Sequence, residues 1–309
     1  MFMHISVLKN ELIDGLNLKE DSIIVDCTLG YAGDSSTILK KIKKGFLFAF
    51  DQDSEAIEYS TNVLKDIGTN FTIIKSNFVH LEEELKKRDV ELVDGVIFDL
   101  GVSSPQLDEK ERGFSYHEDA RLDMRMDRSS KLDAHYVVNN YSLNELNRIF
   151  RDYGESKFSY QIAKKIVKCR EEKEIDTTLE LVEIIKSSVP EKEKRKKHPA
   201  KQIFQAIRIE VNHELDVIRP ALEQATQMLK IGGRIEVITF HSLEDKIVKK
   251  YFKEICDVKE EVKGLPNIDS KYLPDFKLVA NKAIVPTEEE LENNNRARSA
   301  KLRIIERVK

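Results

Sequence analysis

The stretch SIIVDCTLGYAGD, residues 22–34, decides the fold. Its first six residues contain the apolar, β-branched run IIV, followed by an acid and a cysteine, and this pattern predicts a short buried strand. A glycine loop follows, in which Gly30 and Gly33 let the backbone approach a ligand closely and turn into a helix. The pattern returns in residues 46–50, FLFAF, a second buried strand followed by Asp51. This alternation predicts a parallel sheet covered by helices.

The pattern continues and is then interrupted. Residues 71–74 and 96–98 predict a third and a fourth strand, the fourth followed by Asp99. No convincing parallel strand occurs between residues 108 and 199, where we instead predict amphipathic helices over 143–150, 159–170 and 178–189. The chain is therefore expected to have an α/β domain formed by residues 1–109 and 209–309. An inserted helical, substrate-binding domain spans residues 110–208.

The second part of the α/β domain resumes the alternation. We predict a helix over 220–229, a stop at Gly232 and Gly233, a strand over 234–240 and a helix over 243–255. Two extended segments, 276–284 and 300–308, are expected to close the sheet edge as a hairpin-like pair.

Composition limits the classes of protein. The 309 residues have a mean hydropathy of -0.44, no apolar run of 18 residues and no signal-peptide profile at the start, so we expect a cytosolic chain without a membrane partner. Three cysteines, Cys27, Cys169 and Cys256, lie far apart, which argues against disulfides and against a metal site. We expect Cys27 to be a small core residue.

The formal net charge of -4 means that any RNA binding must be local. Two basic runs are candidates for it, KEKRKKHPAK at 192–201 and RARSAKLR at 296–303, although a charge run is more commonly just a solvated charged face.

The strand ends indicate a nucleoside-containing cofactor. Ligands of open parallel sheets bind beyond the carboxyl ends of the strands. Asp51 follows Gly30 by 21 residues, close to where an acid that accepts hydrogen bonds from ribose hydroxyls is expected. Neither GxGxxG nor GxxxxGK[ST] occurs, which disfavours dinucleotides and nucleoside triphosphates. S-adenosylmethionine has no phosphate and suits this loop, whereas a plain turn and helix cap is the alternative.

Longer motifs point to a family. They are HISVLKNE near the start, DLGVSSPQLDEKERGFSY from Asp99, LDMRMD from Leu122, FQAIRIEVNHEL from Phe204, FHSLEDKIVKKYF from Phe240 and NRARSAKLRIIER near the end. In this order, over essentially the whole chain, they resemble the bacterial MraW/RsmH family.

The resemblance implies a Rossmann-like class I S-adenosylmethionine-dependent methyltransferase domain with an inserted all-helical domain. It implies methylation of the N4 amino group of a cytosine, position 1402 in rRNA numbering, in the decoding region of 16S rRNA within the small ribosomal subunit. The cofactor contacts that it implies are Ala32, Gly33, Asp34, Asp51 for the ribose, Phe78, Asp99 and Gln106. Phe78 would lie against the adenine ring, or else be a core aromatic.

Two residues depart from the family pattern. Members commonly carry His where this chain has Asp34, and Pro where it has Arg121. The first departure lies in the cofactor loop, so it leaves the contact at that position open.

The reaction requires hydrogen-bond acceptors more than a strong base, because the lone pair of a cytosine amino group is delocalised and must be turned toward the methyl group. Asp99, Ser103 and Ser104 are the candidate catalytic residues, in a loop whose SSPQ loosely resembles the SPPY element of amino methyltransferases. Methylation at ring carbon five would instead need a cysteine beside the base, and no cysteine lies in such a loop.

Several residues have two interpretations. His241 either contacts RNA or caps the helix that begins near Ser242. Arg112, Arg121, Arg125 and Arg128 bind either phosphates or the acids Glu111, Asp119, Asp123 and Asp127.

Competing functions are a DNA amino methyltransferase, a ribosome-assembly factor that binds the cofactor without catalysis, and, more distantly, a nicotinamide-dependent oxidoreductase. The sequence leaves open whether the chain forms a homodimer.

Overall fold

The computed structural model describes residues 6–195, 198–258, 260–264 and 268–309. The chain divides into two compact units. The first unit consists of residues 1–101 and 215–309, and the second of residues 102–214. The insertion predicted over 110–208 falls within the second unit. The first residues of the HISVLKNE motif and residues 196–197 of the basic run lie outside the described residues. Within the described ranges, no helix has both the length and the hydrophobicity needed to cross a membrane.

The first unit is built on a mixed sheet. Among the described residues its strands are β1 (Ile23–Asp26), β2 (Phe46–Asp51), β3 (Phe71–Lys75), β4 (Val93–Asp99), β5 (Leu229–Thr239), β6 (Phe276–Leu278) and β7 (Lys301–Arg307). They lie in the order β3-β2-β1-β4-β5-β7-β6. Strands β1 to β5 are parallel, whereas β7 runs antiparallel to β5 and β6. This is the sheet of a class I methyltransferase domain, so the predicted fold is confirmed.

Parallel pairing brings the acids at the strand ends to one edge of the sheet. Asp26 is the last residue of β1, Asp51 of β2 and Asp99 of β4. The register pairs Asp26 with Ala49 and with Ile97, so the three strands end within a few residues of one another. The candidate site is therefore located by the strand order alone.

Helices cover both faces of the sheet. Alternate strand residues point to opposite faces. On one face, Ile24, Leu47 and Ile97 pack with α1 (Lys9–Gly15), α2 (Gly33–Lys41) and α3 (Ser54–Lys65). On the other face, Val25, Phe48 and Val96 pack with α4 (Leu81–Lys86) and with two helices that follow the insertion. These two helices, α12 (Ile218–Gln227) and α13 (Ser242–Cys256), were both predicted from the sequence.

The glycine pair Gly232–Gly233 does not separate a helix from a strand, so the prediction of a stop is wrong at this point. Both glycines lie inside β5, which begins at Leu229. Leu229 pairs with Val93 and Arg234 with Gly95, so the intervening residues of β5 form a bulge. Gly232 takes a φ of 81° there, a conformation that suits glycine and explains the residue.

The chain after α13 supplies the two antiparallel strands. The prediction of a closing pair is confirmed, since Phe276 pairs with Arg307 and Leu278 with Ile305. The strands are shorter than the predicted segments, and α14 (Glu288–Asn293) lies between them.

The second unit is helical. Its described helices are α5 (Ser104–Asp108), α6 (Ala134–Asn140), α7 (Leu143–Asp152), α8 (Ser159–Glu172), α9 (Thr178–Ser187), α10 (Glu191–Lys194) and α11 (Ala200–Asn212). The three predicted helices correspond to α7, α8 and α9. Capping boxes at Ser142 and Thr177 fix where α7 and α9 begin. The helices enclose a hydrophobic core of their own, which includes Phe150 and Ile207.

Candidate functional site

The end of β1 is held by buried hydrogen bonds. The Asp26 carboxylate accepts a bond from the Ser35 hydroxyl at 2.6 Å and one from the Thr28 N–H at 3.0 Å. Burial raises the pKa of Asp26 to about 6, while these hydrogen bonds lower it. The Thr28 hydroxyl oxygen in turn accepts the Asp99 N–H at 2.7 Å. One threonine therefore connects the loop after β1 to the end of β4.

The loop after β1 turns sharply into α2. Gly30 has a φ of 48°, and Ala32, the residue before the helix, has a φ of 60°. Ala32 is buried, and Gly33 is the first residue of α2. A non-glycine residue in the left-handed region is strained, and such positions cluster at ligand sites. The loop thus has the backbone conformation that its glycines predicted.

Asp51 is fixed by two backbone groups. Its Oδ2 accepts the Gly30 N–H and its Oδ1 accepts the Asp53 N–H, both at 2.8 Å. Burial raises the pKa of Asp51 to about 6, and the two backbone hydrogen bonds lower it. Each carboxylate oxygen has a second lone pair, so Asp51 can still accept bonds from the two hydroxyls of a ribose.

Asp34 and Asp99 each present an oxygen that lacks a partner. Oδ1 of both side chains is shielded from solvent and has no hydrogen-bond partner among the described residues. Burial raises the pKa of Asp34 to about 6, whereas a hydrogen bond with Ser6 and the charge of Lys9 lower it. Burial also raises the pKa of Asp99 well above its ordinary value. The carboxylates of Asp34, Asp26 and Glu244 raise it further.

A further buried acid, Glu236, lies in the middle of β5 and was not predicted from the sequence. Its side chain is fully buried, and neither carboxylate oxygen has a partner among the described residues. Burial raises the pKa of Glu236 well above its usual range, the charge of Arg234 lowers it and that of Asp34 raises it. A Cβ on Gly15 would lie 2.3 Å from Glu236 Oε1, which explains the glycine at the end of α1.

These carboxyl groups suit a cationic ligand. The charge of Asp34 raises the pKa of Asp26, and the charges of Asp34, Asp26 and Glu244 raise that of Asp99. The charge of Lys9 opposes this negative charge at Asp34. S-adenosylmethionine carries a sulfonium and an ammonium group, which supply the positive charge that the two unpartnered oxygens lack. The residues present therefore fit this cofactor.

Phe78 is half-buried and begins a short 3-10 helix, Phe78–His80. Its ring meets the Phe98 ring edge-on, at 5.6 Å between centroids. Because Phe98 immediately precedes Asp99, Phe78 lies beside the end of β4. Its contact with an adenine ring stays a prediction.

Ser103, Ser104 and Gln106 belong to the second unit. Ser103 caps α5: its hydroxyl accepts the Gln106 N–H at 3.4 Å, and Gln106 Oε1 accepts the Ser103 N–H at 3.1 Å. Gln106 is buried in this capping box, and Ser104 is the first residue of the helix. The structure thus gives Ser103 and Gln106 a structural role, and their catalytic and cofactor roles remain predictions.

His241 caps α13, as one of its two interpretations predicted. Its Nδ1 accepts the Glu244 N–H at 3.5 Å, and Glu244 accepts the N–H groups of Phe240 and His241. Glu244 is itself almost fully buried. His241 Nε2 lies 3.0 Å from Glu244 Oε1, but the geometry is not that of a hydrogen bond.

The arginines at the start of the insertion form internal contacts. Arg112 is buried and donates to the carbonyl oxygens of Arg125 and Met126. Arg125 binds the predicted Asp123 through two bonds of 2.8 and 2.7 Å. Arg121 binds Asp133, which is not among the predicted acids, at 2.7 Å, and it lies 3.6 Å from the predicted Asp123. The interpretation as ion pairs therefore accounts for Arg121 and Arg125.

Cys27 is 2% exposed within the core of the first unit, which confirms the prediction. Burial raises the pKa of its thiol well above the usual range, so it is a poor nucleophile.

Comparisons with solved structures give distant likenesses over the full chain. An rRNA methylase from Streptococcus thermophilus is 13% identical with a TM-score of 0.44, and covers 100% of each chain. A Streptococcus mutans protein solved in complex with S-adenosylhomocysteine (SAH) is 15% identical with a TM-score of 0.43, over 98% of this chain and 99% of that one.

Comparisons of sequence give a much closer likeness. Ribosomal RNA small subunit methyltransferase H of Exiguobacterium sibiricum is 56% identical over 310 residues, which is 100% of this chain and 99% of that protein. The model of the MraW methylase family matches residues 1–308.

Proposed function

The chain belongs to the MraW methylase family, and on that premise we propose that it methylates the N4 amino group of a cytosine in the decoding region of 16S rRNA. The observation that carries the proposal is the identity of 56%, over the whole chain, with a methyltransferase of small-subunit ribosomal RNA. S-adenosylmethionine is the methyl donor, and it supplies a sulfonium-activated methyl group. The rRNA of the small ribosomal subunit is the substrate.

Asp51 binds the ribose in this proposal. Its carboxylate is already oriented by the N–H groups of Gly30 and Asp53, so it does not have to be ordered when the ligand arrives. A buried, ionised acceptor makes strong hydrogen bonds to hydroxyl groups. The strained backbone of Ala32 and the start of α2 at Gly33 allow the ligand to approach the loop closely.

Asp34 and Asp99 provide the negative charge. Each has a buried Oδ1 without a partner among the described residues, and each is disfavoured as an anion until a cation is near. We assign Asp34 to the cofactor's cationic groups. This assignment explains how the chain functions with an acid where the family commonly has histidine.

Asp99 also accepts a hydrogen bond from the target base. Its position is set by the backbone bond to Thr28, which does not occupy its carboxylate. Accepting a hydrogen bond from the cytosine amino group turns the nitrogen lone pair toward the methyl group, which is the requirement for in-line transfer. Ser103 and Ser104, four and five residues further along the chain, are proposed as further acceptors.

The decisive experiment measures transfer of labelled methyl from S-adenosylmethionine to small subunits that lack the modification. Nuclease digestion and mass analysis then identify the labelled nucleoside. We expect the label in N4-methylcytidine. Label in a ring-methylated cytidine, or no label in RNA from protein that demonstrably binds SAH, would refute the proposal. An increase in melting temperature with SAH establishes the binding.

A further inference from the structure

Four aromatic rings of the second unit lie together at the end of the basic run. Tyr116 stacks on His198 with 4.8 Å between ring centroids and 23° between planes. The ring centroid of His117 lies 4.3 Å from that of Tyr116. Phe204 meets Tyr116 edge-on at 5.7 Å. We call these four residues the aromatic cluster. The proposed chemistry uses none of them.

The cluster has a buried and an exposed side. Phe204 is 3% exposed within the helical core, Tyr116 and His198 are half-buried, and His117 is exposed. Phe204 therefore supports Tyr116 from within the core, while the histidines lie toward solvent. A rigid aromatic surface that is partly open to solvent is the kind of surface on which an unstacked nucleobase packs.

His198 is poorly explained by stability alone. Its Nδ1 is shielded from solvent and has no hydrogen-bond partner among the described residues. Leaving a polar atom in this state is unfavourable, and a purely apolar ring of similar size would avoid the loss. Burial and the charges of Lys186 and His117 lower the pKa of His198, so its ring is predominantly neutral in neutral solution. A neutral ring stacks on a base without requiring a counter-charge.

Basic residues lie on both sides of His198 along the chain. Residues 191–201 contain the six basic residues Lys192, Lys194, Arg195, Lys196, Lys197 and Lys201 against the two acids Glu191 and Glu193. Lys192, Arg195 and Lys201 are exposed and have no ion-pair partner in the described part of the chain. Lys186 and Lys194, by contrast, pair with Glu183 and Glu191. The three unpaired cations are thus available for phosphates.

We propose that the aromatic cluster is a stacking surface for an unpaired base of the rRNA substrate, with Lys192, Arg195 and Lys201 binding the phosphates of the same strand. Aromatic rings beside a basic run are the usual means of binding single-stranded nucleic acid. The inference rests on the proposed function and extends it to a second point of contact on the substrate.

The test uses a decoding-region RNA oligonucleotide that carries 2-aminopurine at one flanking nucleotide at a time. Stacking on the cluster is expected to quench the fluorescence at one or two positions with the wild-type protein. His117→Ala and His198→Ala should each reduce that quenching and weaken RNA binding by roughly ten-fold, the effect of losing one stacked base. Tyr116→Phe, which keeps the ring, should bind as the wild type does.

Controls separate stacking from folding and from general RNA affinity. Tyr160→Ala removes another exposed aromatic ring of the same unit and should leave quenching and affinity unchanged. SAH binding and the melting temperature report whether each variant is folded. Because His117 is exposed, its variant keeps the test valid even if His198→Ala is unstable.

The outcomes distinguish this inference from the proposed function. If the wild type methylates small subunits while folded His117→Ala and His198→Ala keep full quenching and an unchanged KM for the subunit, the stacking surface is refuted and the function stands. If the wild type transfers no methyl to RNA, the proposed function itself is refuted.

Discussion

The backbone N–H of Gly30 donates a 2.8 Å hydrogen bond to Oδ2 of Asp51, and this bond connects the loop after β1 with the end of β2. The two residues are 21 positions apart in the chain, and parallel pairing of β1 with β2 brings them together. The acid expected to bind ribose and the loop expected to approach the cofactor therefore form one structural element. A change in either residue should disturb both.

Asp51→Ala should weaken SAH binding by about 10- to 150-fold, because hydrogen bonds to a charged acceptor contribute about 1.5–3 kcal/mol. Isothermal titration calorimetry measures the affinity directly. Asp66→Ala is the matched control, since Asp66 is an exposed acid of the same unit without an ion-pair partner among the described residues. Equal SAH affinity of the two variants would show that Asp51 does not bind the cofactor.

Asp99→Ala should lose most turnover, by about 100-fold or more, while the protein stays folded. Folding should persist because the Asp99 backbone, not its side chain, bonds to Thr28. Single-turnover methyl transfer to small subunits gives the rate, and the melting temperature checks the fold. Asp99→Asn, which keeps an acceptor oxygen, should retain more activity than the alanine variant. Near-normal turnover of Asp99→Ala would show that another group is the acceptor.

Binding of S-adenosylmethionine should weaken as the pH falls from about 8 to about 5. The pKa values of Asp26, Asp34 and Asp51 are raised to about 6 in the free protein, so a cationic ligand must displace protons below that pH. Asp99, whose pKa is raised further, belongs to the same cluster, and Lys9 is the cation that opposes the negative charge at Asp34. Calorimetry in two buffers of different ionisation enthalpy counts the released protons. Asp34→Asn should flatten the dependence.

The free protein should show the opposite trend in stability. Carboxyl groups whose pKa is raised on folding bind more protons in the folded state near pH 5, so their contribution to the free energy of unfolding is lost as the pH rises through about 6. Urea unfolding without ligand, followed across this range, measures it. If stability instead rose steadily with pH and the ligand affinity did not, the raised pKa values of these carboxyl groups would be contradicted.

Ser35→Ala should lower the free energy of unfolding by about 1–3 kcal/mol, because it removes the 2.6 Å hydrogen bond that the Ser35 hydroxyl donates to the buried Asp26 carboxylate. Chemical denaturation gives the value. The adjacent Ser36→Ala is the control, since the Ser36 side chain forms no hydrogen bond within the described ranges and its loss should have a small effect. Similar losses in the two variants would show that the Ser35 bond contributes little.

Local sequence patterns predicted the site better than the contacts around it. Asp51 and Asp99 could be found because each terminates a short run of apolar residues, and such runs read as buried strands. The capping box of Ser103 and Gln106 also has a local signature, S-x-x-Q. The nearer partner of Arg121 could not be predicted this way, because the fold of the loop brings Asp133 to it, whereas the more distant Asp123 was among the predicted acids.

Two other features of the sheet could not be predicted from the sequence, because tertiary contacts override the local sequence pattern. Gly232 and Gly233 are typical of a helix end, but pairing with β4 extends β5 through them as a bulge. Glu236 reads as a solvent-facing residue, since glutamate is rarely fully buried. Its burial depends on the space that Gly15 leaves from a different part of the chain.

The position of β7 has a consequence for synthesis of the protein. Thr239 at the end of β5 and Lys301 at the start of β7 are 62 residues apart. At a translation rate of about 5–20 residues per second, β5 lacks this neighbour for about 3–12 seconds after it emerges. During that time the backbone N–H and C=O groups along this edge of β5 are open to pairing with other nascent chains. Synonymous codon changes between residues 240 and 300, which leave the folded protein identical, should therefore alter the yield of intact enzyme.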